Sequence, residues 1–493
     1  MSPHPFARIA LFACACVALA ACGDTHVPQR GVALADCHLP KLAQTLSCGT
    51  LDVPEHRGDP ASRRLSIAVA ILPANTLSPK PDPLFVLAGG PGQAASSIAD
   101  FAARLSDVRT TRDIVLVDQR GTGRSSPLDC KAFARSNDLA DALDIDPLPK
   151  ARACAAEIAA RGVDLARYTT DDYIADLEDV RRALGYPKVN LWGGSYGTRV
   201  AQEYLRRHPG VIRSVVLDGV APPSMIVSLD VWTTRERAID AVVAACGRST
   251  ACRAAHPDIA ATLDAIHTRL GDAVRDVALT MPRTGETRTI RIGFDAFLAA
   301  LQPIVYQPES AALLPEILAR ARDGDFAPLV ATLSAFDDAM EGELNAALHY
   351  AVTCAEDVPR VTPARERAAL EGTRAASLVG RVLAVCDAWP HGAMPADFAT
   401  PVTSDVPVLL LSGGLDPVTP PRYAEEVAKT LTHARSIVAP GFGHIISARG
   451  CVPRLIAKFV DAAGFDTLPA TCVDWLTRTS APLLWPDRLE PKP

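Results

Sequence analysis

Strand-like and helix-like segments alternate along the first part of this chain, cease to alternate, and then resume. No other feature narrows the fold as far. Short β-branched or apolar runs occur at Arg64–Leu72, Pro83–Ala88, Asp113–Asp118, Lys188–Trp192 and Ile212–Asp218, each ending at or followed by Gly, Pro or Asp. Between the last pair but one, Tyr173, Leu177, Val180 and Leu184 fall on one helical face. Thr169 and Asp172 have the spacing of a capping box, and Gly185 and Pro187 close the helix. From about residue 223 to 400, helical stretches such as Thr234–Cys246, Ile259–Leu270 and Leu313–Ala321 dominate, with few convincing strands. Pro407–Ser412 and Ser436–Ala439 then restore the strand type. Strands separated by helices pair in parallel, and a parallel sheet must be covered on both faces. The expected class is α/β: a mostly parallel sheet with helices on both faces, interrupted by a mostly helical insertion. The expected boundaries are 37–222 and 401–475 for the two parts of the sheet unit, 223–400 for the insertion and 476–493 for a tail. Internal repeats and low-complexity tracts are not evident.

Composition narrows the function classes. The 493 residues are 48% hydrophobic and 22% charged, which suits a large core and excludes a disordered chain. A net charge of −6, with no block of Lys or Arg, excludes the concentrated basic surface that nucleic acid requires. Aromatic residues at 5% argue against stacking platforms for single strands, and 40 prolines point to many rigid loops. No apolar run is long enough to span a bilayer.

The 13 cysteines divide in two. Arg8 and the amino terminus precede an apolar run from Ile9 to Ala21, which suits the core of a signal peptide. It ends in Leu19-Ala20-Ala21-Cys22-Gly23, which resembles the lipobox of bacterial lipoproteins. The resemblance implies a signal peptide over 1–21, lipidation of Cys22 and a cell-envelope location, with Gly23 favouring onward sorting to an outer membrane. An ordinary cleavable signal is the alternative, and it too exports the protein; membrane contact is expected only through the lipid. Setting Cys14, Cys16 and Cys22 aside leaves ten of the 13, an even number in a compartment that permits disulfides. Pairing of sequential neighbours is the expectation: Cys37–Cys48, Cys130–Cys154, Cys246–Cys252, Cys354–Cys386 and Cys451–Cys472. Sequence leaves the connectivity open. The rival, zinc, lacks a C-x-x-C or H-E-x-x-H pattern, so no metal is expected.

Three loops carry the candidate chemistry. Trp192-Gly193-Gly194-Ser195-Tyr196-Gly197 follows one strand and opens a helix reaching Arg207, which Pro209-Gly210 ends. A nucleophile on a tight strand-to-helix turn needs small neighbours, which Gly193 and Gly197 supply, and the helix aims its first amides at developing negative charge. A glycine-rich turn around a solvated serine is the plain alternative. Leu411-Ser412-Gly413-Gly414-Leu415-Asp416-Pro417 puts Asp416 just past an apolar strand, where a carboxylate orients a histidine. A turn-forming Asp is the alternative there, and Asp405, ahead of the strand, is of that kind. Pro440-Gly441-Phe442-Gly443-His444 makes His444 the one histidine of 11 that follows a strand-like run in a glycine-flanked loop. A fourth segment, Ala88-Gly89-Gly90-Pro91-Gly92, supplies a second oxyanion donor. Pro91 has no N–H, so Gly90 is the choice, together with Tyr196. The Lys-Ser/Thr ending of a phosphate loop is missing, and Gly121-Thr122-Gly123 lacks the third glycine of a dinucleotide fingerprint, so no cofactor is expected.

Gly89-Gly90-Pro91-Gly92, Asp118-Gln119-Arg120-Gly121-Thr122-Gly123-Arg124-Ser125 and Gly193-Gly194-Ser195-Tyr196-Gly197 together resemble the proline iminopeptidase and tripeptidyl aminopeptidase family of α/β-hydrolases. The resemblance runs over roughly 40 to 475, and the order Ser195, Asp416, His444 is the α/β-hydrolase order. Pro407–Cys472 is similar to the end of the secreted tripeptidyl aminopeptidase branch. Proline iminopeptidases usually carry His before Gly-Gly-Pro-Gly, whereas this chain has Ala88, which favours the tripeptidyl branch. The resemblance implies an α/β-hydrolase fold whose helical insertion caps the site, with carboxylates binding a substrate's amino terminus. Tyr350–Asp357 is similar to a cap-end motif of that branch, which makes Glu356 and Asp357 candidates for amine recognition; solvated acids are the alternative. The Asp118–Ser125 loop is expected to be architectural, with Arg120 and Arg124 tying loops beneath the site. The expected activity is that of a serine exopeptidase acting on small peptides through an acyl-enzyme. An esterase sharing every catalytic residue, or a noncatalytic envelope binding protein, are the rivals.

Overall fold

The computed structural model describes residues 31–134, 145–271, 273–281, 284–339 and 344–478. The expected signal segment 1–21, Cys22 and the tail from 479 onward lie outside them. Among the described residues the strands are β1 (Ala35–Cys37), β2 (Leu46–Pro54), β3 (Arg64–Leu72), β4 (Leu84–Leu87), β5 (Ile114–Val117), β6 (Val189–Gly194), β7 (Ile212–Asp218), β8 (Arg275–Thr280), β9 (Thr287–Ile292), β10 (Val408–Gly413) and β11 (Ala434–Ala439). Nine of them form one sheet in the order β1-β2-β3-β5-β4-β6-β7-β10-β11. From β5 to β11 every neighbouring pair is parallel, while β1, β2 and β3 add an antiparallel edge. β4, β5 and β10 are apolar runs buried at every position, as strands covered on both faces must be.

The helices that matter below are α1 (Thr170–Ala183), α2 (Tyr196–Arg207), α3 (Val227–Arg248), α4 (Ala346–Glu356), α5 (Ala376–Cys386) and α6 (Val452–Ala462). Side chains alternate across each strand, so Phe85 and Leu87 enter one apolar cluster with α1, α2 and α4. Leu84 and Val86 enter a second cluster with α6 on the opposite face. A third cluster, including Ile239, Leu263, Phe297, Leu314 and Phe326, belongs to the elements inserted between β7 and β10. The last part of that insertion returns to the sheet: Leu348, Val352, Val385 and Trp389 pack into the first cluster.

Local signals act where they were read. The Thr169 hydroxyl accepts from the Asp172 amide at 3.2 Å, and the Asp172 carboxylate accepts from the Thr169 amide at 3.4 Å. Four strands, β1, β2, β8 and β9, fall outside the runs read from the sequence. The insertion contains the β8–β9 hairpin, where Thr287–Ile292 alternates with only Ile290 and Ile292 buried. The strand β2 carries Gly49 and ends in Pro54, so its propensity is weak. It is held instead by pairing with β3 from Ser47↔Ile71 to Pro54↔Arg64. Five disulfides join Cys37–Cys48, Cys130–Cys154, Cys246–Cys252, Cys354–Cys386 and Cys451–Cys472. The fourth ties the end of α4 to the end of α5. Among the described residues no helix is long and apolar enough to cross a membrane.

The sheet order reverses at β4. Its next strand in the chain, β5, lies on one side and β6 on the other. Such a reversal leaves a crevice beyond the carboxyl ends of the two diverging strands, where ligands of open α/β sheets bind. Because α1 packs across the face beneath that crevice, its cap has a measurable share in stability. Thr169→Ala is expected to lower the unfolding free energy by about 1 kcal/mol, read as a lower urea midpoint with an unchanged slope.

Candidate active site

β6 ends at Gly194 and α2 starts at Tyr196, so Ser195 alone makes the turn between them, with φ 56° and ψ −123°. A non-glycine residue holds such a backbone only when its surroundings enforce it. The Ser195 amide donates to the Asp218 carbonyl at the end of β7 at 2.9 Å, and the Thr198 amide and hydroxyl donate to the Ser195 carbonyl. The neighbours leave no room for side chains. A Cβ on Gly193 would lie 2.3 Å from the Gly197 carbonyl oxygen, and one on Gly197 would lie 2.0 Å from that of Leu87. The spacing Gly-x-Ser-x-Gly is thus a packing requirement between β6, α2 and β4.

Asp416 follows β10 and is buried. Its Oδ1 accepts the amides of Val418 and Thr419 at 2.8 Å each; its Oδ2 accepts the Thr419 hydroxyl at 2.8 Å and meets His444 Nδ1 at 2.8 Å. Burial pushes this carboxyl upward, but the His444 charge, the His444 hydrogen bond and the two amides outweigh it and hold it below its ordinary value. The contact with a carboxylate places the proton on Nδ1 and leaves Nε2 as the basic nitrogen. His444 is positioned from both sides. Its amide donates to the Tyr306 carbonyl at 2.9 Å, the Gln307 side chain donates to its carbonyl at 2.7 Å, and the Tyr306 ring stands edge-on to the imidazole.

Ser195 and His444 both approach the end of β7. Ser195 bonds to the Asp218 carbonyl, and a Cβ on the next residue, Gly219, would lie 3.0 Å from His444 Cε1. The Ser195 hydroxyl makes no hydrogen bond among the described residues; contacts of this kind commonly tighten only around a bound substrate. Asp218 also holds the histidine loop with its side chain, which accepts the Ile446 amide, the Ser447 amide at 2.7 Å and the Ser447 hydroxyl at 2.6 Å. Burial pushes its carboxyl up to about 6. Sequence reading passed over Asp218, although it ends a strand as Asp416 follows one. It passed over Thr419 as well, three residues beyond Asp416.

Gly89 packs directly against Ser195, with its Cβ position 3.2 Å from that of the serine. The Gly89 amide donates to Gln93 Oε1, while the Gly90 and Tyr196 amides have no acceptor among the described residues. The insertion straps this loop from above. The Asn345 amide donates to the Gly92 carbonyl at 2.8 Å, and His349 Nδ1 lies 3.2 Å from the Pro91 carbonyl oxygen.

Glu356 and Asp357 are engaged by protein donors. Both are buried, at 1% and 0% exposure. Glu356 accepts the Thr170 amide at 2.6 Å and the Thr170 hydroxyl at 2.8 Å. Asp357 accepts Arg199 and Arg360 at 2.9 Å each and the Val227 amide at 3.0 Å. A substrate ammonium would have to displace these donors to reach either acid. With these contacts, and with Thr170 also meeting the Tyr196 hydroxyl at 2.7 Å, the acids tie α4 and α3 to α1 and α2 beneath the serine turn. In the Asp118–Ser125 loop, Arg120 is fully buried and forms a two-pronged bond to Asp176 at 2.7 Å. Arg124 is exposed, and it is its backbone amide, not its guanidinium, that binds Asp118. Among the described residues no group of three or more His, Cys, Asp or Glu is placed to hold a metal.

Burial pushes the Glu356 carboxyl up to about 7 from an ordinary value of 4.5. The folded chain then binds a proton that the unfolded chain has released, so the stability this group contributes is full below about pH 4.5 and falls as pH rises toward 7. Glu356→Gln keeps an acceptor for Thr170 and removes the titration. Its urea midpoint is expected to fall less steeply than that of the parent between those pH values; parallel slopes would contradict the assignment.

A family model described as the alpha/beta hydrolase fold matches residues 82–449. Tripeptidyl aminopeptidase of Streptomyces lividans is 31% identical over 207 residues, covering 38% of this chain and 37% of that protein. The chain therefore matches little more than a third of that relative's length. Proline iminopeptidase of Xylella fastidiosa is 31% identical over 143 residues, covering 29% of this chain and 34% of that one. Serine protease Hip1 of Mycobacterium tuberculosis is 24% identical over 446 residues, covering 84% of each chain. With the reversed parallel sheet, the serine turn at the end of β6 and a family match across most of its length, this chain belongs to the α/β-hydrolases.

Proposed function

We propose that this chain is an exported serine peptidase that releases short peptides at a free amino terminus, with Ser195 as nucleophile, His444 as general base and Asp416 as the carboxylate that orients it. The observation that carries the hydrolytic reading is the His444–Asp416 contact at 2.8 Å, beside a serine held on a strained turn. His444 Nε2 takes the proton from Ser195 as the hydroxyl attacks a scissile carbonyl. The developing imidazolium is stabilised by Asp416, whose carboxyl His444 and the amides of Thr419 and Val418 hold below its ordinary value. The Gly90 and Tyr196 amides stabilise the oxyanion, each worth about 2.7–4 kcal/mol in related sites. His444 then protonates the leaving amine, and water releases the acyl-enzyme.

The peptide reading is supported by relatives named tripeptidyl aminopeptidase, proline iminopeptidase and serine protease. Export is supported by the five disulfides, which need an oxidising compartment. One observation favours a second reading, an esterase of the same machinery: both cap acids expected to bind an amine are occupied by protein donors.

Aminoacyl- and tripeptidyl-amides assayed beside simple esters separate the two. Amide turnover that depends on a free amino group is expected; ester cleavage without any amide turnover would replace the peptidase with the esterase. Ser195→Ala is expected to abolish fluorophosphonate labelling and to lower kcat by about 10⁴-fold or more, with the urea midpoint unchanged. Asp416→Asn is expected to cost about 10⁴ in kcat, because an amide in that place permits the wrong histidine tautomer. Full activity in either variant would remove the residue from the mechanism.

A further inference from the structure

Beside the Asp416 loop lies a cleft of about 280 Å³, bounded by α3, the segment Pro303–Ala311 and the loop Gly414–Arg422. Its lining includes Asp416 but neither Ser195 nor His444, so a molecule held there does not occupy the position of a scissile bond. Most of the wall is apolar. Ala241, Val242 and Ala245 supply one side from successive turns of α3, and Val305, Ala311 and Leu415 face them. The volume is nearly twice the ~150 Å³ cavity known to take up benzene.

Of the charged residues lining the cleft, three are arginines and one, Asp416, is an acid already bound to His444. The arginines are Arg237, Arg248 and Arg422, and all three are exposed. Arg422 lies over the Tyr423 ring, while Arg237 and Arg248 meet no carboxylate among the described residues. The acids of the same elements are engaged elsewhere: Glu236 and Asp240 with Arg374, Glu309 with Arg449, and Asp416 with His444. A site with apolar walls and unneutralised guanidinium groups at its edge suits a ligand with an apolar body and an anionic head.

We propose that this cleft binds a single-chain amphiphilic carboxylate, with its aliphatic chain along α3 and its head among Arg237, Arg248 and Arg422. Such a ligand touches both segments that position the histidine, the Asp416 loop and the stretch containing Tyr306 and Gln307, without covering the serine. The binding does not depend on the hydrolytic reading.

Isothermal titration of the full chain with monomeric decanoate, decanol and decyltrimethylammonium tests it. Decanoate is expected to bind at one per chain, decanol about tenfold more weakly for want of a charge-assisted hydrogen bond, and the cation not at all. Ala241→Trp fills the cleft and is expected to abolish binding; Ala245→Trp fills it from the next turn and serves if the first variant fails to fold. Of Arg237→Glu, Arg248→Glu and Arg422→Glu, at least one is expected to weaken decanoate by about tenfold or more. Urea midpoints equal to the parent's identify variants that remain folded. Absence of decanoate binding, equal binding of the cation, or undiminished binding in the folded tryptophan and glutamate variants would overturn the proposal.

Discussion

The backbone at Ser195 is the constraint on which the rest of the structure depends. A serine at φ 56° between a strand and a helix is costly alone, and it persists because the Asp218 carbonyl, the start of α2 and the loop after β4 all close upon it. The same closeness aligns three strand ends: β4 brings Gly89 and Gly90, β6 brings the serine, and β7 brings the peptide against which the histidine rests. The insertion completes the arrangement from above by holding the carbonyls of Pro91 and Gly92.

Four buried carboxylates surround this turn, and their partners set their roles. Asp416 faces an imidazole, a hydroxyl and two amides, and remains an anion able to support positive charge on His444. Asp218 and Glu356 take their hydrogen bonds from amides and hydroxyls, and burial outweighs these and the nearby charges of His444 and Arg199, so their carboxyls are pushed upward. Asp357 is paired with two arginines and locks α3 to α2 and α4. The four share a residue class and a degree of burial and differ in the partners packed against them.

Much of this was legible in the chain. Strands buried on both faces must be apolar throughout, so β4, β5 and β10 announce themselves, and the Thr169 cap marks its helix start within a few residues. The glycine spacing around Ser195 is readable because steric exclusion leaves a residue-type signature. β2 was not legible, since its register comes from β3 rather than from its own residues. The β8–β9 hairpin was obscured by a helical surrounding that sets the average composition. The partners of Glu356 and Asp357 were not legible for a related reason: an acidic pair reads the same whether it faces solvent, a substrate or a buried arginine.

The sequence by itself determined the class of fold and the positions that tolerate no side chain, because each of these is a local steric or periodic demand. Only the tertiary structure decided which acids remain free to act. It brought Arg199, 158 positions away, onto Asp357, and set Asp218 behind the histidine loop across 229 positions. It also laid an arginine-edged apolar cleft between a helix and a loop that are distant in the chain. Partners so far apart leave no pattern in either segment, and the state of a carboxylate is a property of what packs against it.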